Sequence, residues 1–218
     1  MGVSEPMSVF VLFFGGYQAT LLDIKAWKAS AANQKPNVAF EGYPYPQGAS
    51  WDGAEAVKAF TKAHDYEAAI KKIEGSGRDR IYIVGHSSGC AVANAVDAGL
   101  KNHAKITLVA LDGYAPSNAQ LARPTTQVWV AESSGGTSLH YSDLINATRG
   151  KARLNTYQAP SNCTTKLALH FSLVNESSSD ALVHQIPQGY TACKANLSWL
   201  GYLPQASRTL HGHFHTRK

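Results

Sequence analysis

Short apolar runs rich in β-branched and aromatic residues recur along nearly the whole chain and alternate with stretches of helical periodicity. Several of these runs, Ser8 to Phe14 (SVFVLFF) above all, show no polar alternation, so neither face of the strand can be turned to water. Doubly buried strands separated by helices form a parallel sheet covered on both faces. Six strands are predicted, over 8–14, 37–43, 81–84, 106–111, 127–131 and 153–158. Helices are expected over 21–29, as one long or two short segments within 50–74, over 90–100, 141–148 and 172–200. Residues 204–218 lack apolar periodicity and are expected to form a tail beyond a single domain spanning 1–203.

A chain of 218 residues buries about 70% of the surface its unfolded form exposes, which suffices for a core without staples. With 44% hydrophobic and 16% charged residues the composition excludes intrinsic disorder, and no apolar run approaches the ~18 residues that span a bilayer. The formal charge of +5 is dispersed: Lys58, Lys62, Lys71 and Lys72 fall on predicted helices and Arg217 and Lys218 in the tail. A solvated surface is expected rather than a nucleic-acid footprint. Glu5 and the absence of Lys or Arg before the short run Val9 to Phe14 do not fit a secretory signal, so a cytoplasmic setting is expected. Cys90, Cys163 and Cys193 form no framework of the secreted type.

Gly85-His86-Ser87-Ser88-Gly89 matches G-x-S-x-G and lies between a β-branched strand and an Ala/Val-rich helix. That is the context in which a serine sits on a sharp strand-to-helix turn with its hydroxyl above the sheet, flanking glycines removing the side chains that would collide. Ser87 is therefore the candidate nucleophile. On these residues, followed by Cys90-Ala91-Val92-Ala93, the chain resembles the α/β-hydrolase family and within it the thioesterase/carboxylesterase-like branch. The resemblance implies an α/β fold with a mostly parallel sheet of about six strands, and chemistry that needs no metal or cofactor.

A serine hydroxyl requires a histidine base, and the base a carboxylate. In the family's chain order the acid follows the serine and the histidine comes last. Asp112, in Leu108-Val109-Ala110-Leu111-Asp112-Gly113-Tyr114, resembles the family's acid-bearing stretch, while Glu132 occupies the alternative position after the next strand. His170, in Leu169-His170-Phe171-Ser172-Leu173-Val174, resembles the segment that presents the catalytic histidine and is expected in a loop before the last helix. His213, in Gly212-His213-Phe214, is the alternative base. His64, His86, His103, His140 and His184 are set aside for their polar, helical or variable settings. The amide of Ser88 would supply one oxyanion donor and Gly16 or Tyr17 the other, although Phe14 stands where the family's loop commonly opens on histidine.

The remaining features have plainer readings. Cys90 is expected as a small buried hydrophobe. A disulfide between Cys163 and Cys193 would clasp the segment around His170 but needs an oxidising setting. His211, His213 and His215 alternate without carboxylate or cysteine companions, a weak metal pattern. Tyr43, Tyr45 and Trp51 border the second strand's end and either cap the core or line an acyl pocket.

The segment between Asp112 and the next strand is too short for a large lid, which favours small or exposed acyl substrates. The expected activity is hydrolysis of an ester or thioester of a small acyl substrate through an acyl-enzyme. Lactone hydrolysis and acyl transfer use the same parts, and a non-catalytic acyl-ligand-binding protein is the competing class.

Overall fold

The computed structural model describes residues 7–35, 38–151 and 153–174. Its elements, in chain order, are β1 (Val9–Phe14), α1 (Leu21–Gln34), β2 (Val38–Tyr43), α2 (Gly53–Lys62), α3 (Asp65–Glu74), β3 (Arg80–His86), α4 (Gly89–Ala98), β4 (Ile106–Leu111), α5 (Asn118–Leu121), β5 (Gln127–Ser133), β6 (Gly136–Thr137), α6 (Tyr141–Thr148), β7 (Arg153–Gln158) and α7 (Lys166–Ser172). The sheet runs β2-β1-β3-β4-β5 with every pair parallel, β7 continues it in parallel from β5, and β6 folds back antiparallel on the end of β5.

The apolar runs account for this order. All six residues of β1 are buried, as their unbroken hydrophobicity requires, and β1 lies inside the sheet between β2 and β3. Ile83, Val84, Leu108, Val109, Val128 and Val130 continue the core across β3, β4 and β5 at 1% exposure or less. Helix starts follow local chemistry: Thr20 and Asp23 form a reciprocal capping box on α1, and the Asp52 carboxylate accepts from the amides of Ala54 and Glu55 at the head of α2. The Asp97 carboxylate, fully buried on α4, is held by Arg123 and by the Gln120 amide.

The region 50–74 forms two short helices, one of the two arrangements expected, broken at His64, whose φ of +61° leaves the helical range. Other boundaries differ from expectation. α1 runs on to Gln34, through small and polar residues that carry no periodicity. There are seven strands among the described residues rather than six, because β6 is only two residues long and has no alternation to detect. α5 and α7 are similarly brief. Residues 113–126, where a lid would be inserted, carry only the four-residue α5. Among the described residues no helix is long and apolar enough to cross a membrane. The helix expected over 172–200, beyond Val174, and the tail 204–218 lie outside the described residues.

Candidate active site

Register places the functional loops. Phe14 pairs with Gly85 and His86 with Leu111, so the turns after β1, β3 and β4 emerge side by side at the carboxyl edge of the sheet, where open α/β sheets bind ligands. Ser87 occupies the turn between β3 and α4 with φ +53°, a left-handed conformation that costs a non-glycine residue ~1–3 kcal/mol. It is held there by its own amide, which donates to the Leu111 carbonyl at 3.0 Å, and by its carbonyl, which accepts from Cys90 at 3.0 Å. The bend brings backbones into contact: a Cβ on Gly85 would lie 2.5 Å from Cys90 Cα, and one on Gly89 would lie 2.4 Å from the Gly15 carbonyl. Side chains are excluded at both positions.

Asp112 follows β4, also at positive φ (+40°), and is fully buried. Its Oδ2 accepts from His170 Nδ1 at 2.6 Å. Its Oδ1 accepts from the Ser138 hydroxyl at 2.7 Å and from the His140 amide at 3.2 Å. Three donors thus converge on the one carboxylate, Oδ1 serving Ser138 and the His140 amide and Oδ2 the imidazole. With the proton of His170 on Nδ1, Nε2 carries a lone pair.

His170 is 2% exposed and lies in α7, packed against β5 and β6, rather than in a loop before a helix. The difference arises because Thr165 caps a short helix, its hydroxyl accepting from the Ala168 amide at 3.1 Å. The His170 ring is boxed by three others: His86 at a centroid distance of 4.4 Å, Phe171 at 5.2 Å and His140 at 5.8 Å. Burial, with the neighbouring His170, holds His86 well below the ordinary histidine range, and burial also lowers His140.

Ser87 and His170 border one cleft of about 540 Å³, whose wall includes Tyr17, Trp51, Tyr114, Leu139 and Asp143. Trp51 is 67% exposed, but its backbone is fixed: its carbonyl accepts from the Ser88 hydroxyl at 2.7 Å. Tyr45, its phenol pushed up to about 12 chiefly by burial, donates to the neighbouring Ser50 carbonyl. The Gly16 turn presses on the serine, since a Cβ on Gly16 would sit 2.7 Å from Ser87 Cβ. Among the described residues the amides of Gly16, Tyr17 and Ser88 make no hydrogen bond to the protein, which leaves them as donors beside the hydroxyl.

The structure thus brings together Ser87, Asp112, His170, Ser88, Gly16 and Tyr17. Glu132, the alternative acid, is engaged elsewhere: its carboxylate accepts from the Tyr141 phenol at 2.6 Å and from the Gln158 amide at 2.5 Å, and these bonds lower its pKa. Cys90 is fully buried, and burial pushes its thiol up, so it offers no nucleophile. His184, Cys193, and the histidines at 211, 213 and 215 lie outside the described residues, and with them the alternative base and the proposed pairing of Cys163. His86, Ser138 and His140 were not anticipated as parts of this site. Only His86 carried a signal, its position inside the pentapeptide next to the serine.

Residues 16–144, more than half of the chain, match the family profile described as alpha/beta hydrolase. No curated protein matches the sequence. Solved structures that resemble it include a predicted CIB-like hydrolase from Thermoplasma acidophilum, with 16% identity, TM-score 0.42 and coverage of 72% of this chain and 78% of that one. An alpha-beta serine hydrolase homologue from Coxiella burnetii aligns at 11% identity and TM-score 0.44 over 71% and 76%. A serine hydrolase without lid from Xanthomonas campestris aligns at 11% and 0.43 over 70% and 72%.

Proposed function

From its membership of the alpha/beta hydrolase family, we propose that this chain is a serine-dependent acyl hydrolase that cleaves an ester or thioester of a small acyl substrate through an acyl-enzyme. One observation carries the proposal: a buried Asp112–His170 hydrogen bond of 2.6 Å whose histidine lines the same cleft as a serine held at positive φ. Ser87 Oγ attacks the carbonyl carbon while its proton passes to His170 Nε2. The resulting imidazolium is stabilised by Asp112 through Nδ1–H. The oxyanion accepts from the Ser88 amide and from that of Gly16 or Tyr17; in related chemistry each such donor contributes about 3 kcal/mol.

Collapse of the tetrahedral intermediate expels the alcohol or thiol, which takes the proton from Nε2. Water then enters, gives its proton to the same nitrogen and attacks the acyl carbon. The second collapse returns the proton to Ser87 and releases the acid. The open cleft and its aromatic wall suit a compact acyl group presented from solvent.

The test is hydrolysis of p-nitrophenyl butyrate together with fluorophosphonate labelling mapped by mass spectrometry. Label on Ser87 and a fall in kcat of at least about 10³-fold in Ser87→Ala are expected. Equal rates for wild type and a folded Ser87→Ala protein would remove the proposal.

A further inference from the structure

A carboxylate that grips an imidazole at one nitrogen fixes that atom but leaves the ring free to swing about it. The backbone of His170 is also weakly anchored by its own element. α7 spans only seven residues, and the His170 carbonyl lies in its last turn, among the acceptors a helix cannot satisfy internally. That carbonyl has a partner from across the sheet: His86 Nε2 lies 3.2 Å from it. A carbonyl only accepts, so Nε2 of His86 carries the proton and the ring is a donor there. The same ring packs on the His170 ring at 4.4 Å and 36°.

We infer that His86 is a positioning residue for His170. Its Nε2–H holds the His170 carbonyl while its ring packs on the His170 imidazole, so that Nδ1 stays on Asp112 and Nε2 is kept toward Ser87. The inference rests on the reading of His170 as the base. A phenylalanine would supply the packing without the donor, and a lysine or arginine the donor with a permanent charge beside a nascent imidazolium. Histidine supplies the donor and the ring. The ionisable side chains facing it, His170 on α7 and His140 at the head of α6, both disfavour a second charge on it, in the same direction as its burial. The rear wall of the arrangement is the Gly16 turn, where a Cβ would approach His86 Nδ1 to 3.1 Å.

The test compares His86→Phe, which keeps a ring and loses the donor, with His86→Gln, whose amide nitrogen reaches the position of Nε2. Kinetics on p-nitrophenyl butyrate are read beside the far-downfield proton resonance of the His170–Asp112 hydrogen bond. In His86→Phe, kcat is expected to fall about 10- to 100-fold with KM within about twofold, and the downfield resonance to broaden or vanish. In His86→Gln the resonance is expected to persist and kcat to recover to within about threefold of wild type. Wild-type kcat and an unchanged resonance in His86→Phe would overturn the inference, leaving His86 as core filling. Should His86→Phe fail to fold, loss of the resonance in folded His86→Gln would overturn it equally. Failure of the underlying reading is distinguishable, because wild type would then show no Ser87-dependent hydrolysis at all.

Discussion

At Asp112 three donors converge on one carboxylate with no exposure to solvent, and its role depends on accepting from all of them. An asparagine would turn either its oxygen from Ser138 or its amide toward His170, and the latter leaves Nδ1 without its proton and places that proton on Nε2. Asp112→Asn is therefore expected to lower kcat for p-nitrophenyl butyrate about 10⁴-fold while the folded structure persists. A loss below about tenfold would show that the carboxylate does not set the tautomer. The buried histidine beside His170 has a separate consequence for stability. His86 is held neutral well below its ordinary value of 6.5, so above that pH folded and unfolded chains are alike in its charge. As pH falls below 6.5 the unfolded chain binds a proton that the folded one refuses. Stability is then lost toward the lowered value at up to about 1.4 kcal/mol per pH unit, and His140 contributes in the same direction. Urea unfolding at pH 7.5 and 5.5 is expected to show this decline, and His86→Gln to flatten it; an equal slope in both proteins would assign the protons elsewhere.

Among the elements, α7 carries His170 on only seven residues packed against β5 and β6. Thr165 caps its first turn, so Thr165→Ala is expected to cost about 1 kcal/mol, lowering Tm by about 2–4 °C, with Thr165→Ser restoring it. Calorimetry of the three proteins checks this. The elements that could be read from the sequence were those with strong local signals. β1, β3 and β4 announce themselves by unbroken apolar runs, and the elbow by glycines whose necessity is a matter of adjacent backbones. Asp112 and His170 were singled out through family likeness, and the structure adds neighbours that likeness could not give. His86 and His170 are 84 residues apart, and Ser138 and Asp112 are 26 apart; only strand register and a two-residue β6 make them neighbours. No periodicity marks such pairs, and α7 was missed because seven residues hold too few turns to show one.

For the molecule as a whole, the cleft's charge is the next constraint on substrate. Asp143 lines its mouth beside Trp51 and Tyr17, and among the described residues no lysine or arginine borders it. Uncharged acyl groups are therefore expected to be processed with higher kcat/KM than acyl groups ending in a carboxylate. The comparison is p-nitrophenyl butyrate with mono-p-nitrophenyl succinate, and Asp143→Asn should narrow the difference at low ionic strength and leave it little changed at high salt. Equal kcat/KM for the two esters in wild type would remove the expectation. The interior place of β1 bears on a different stage of the protein's life. On the ribosome this water-averse segment is released before one of its flanking partners has been synthesised, Ser8 and Asp79 being 71 residues apart. For that interval the nascent chain displays an adhesive strand with an unpaired edge, which makes translation speed and chaperone supply determinants of how much native protein accumulates.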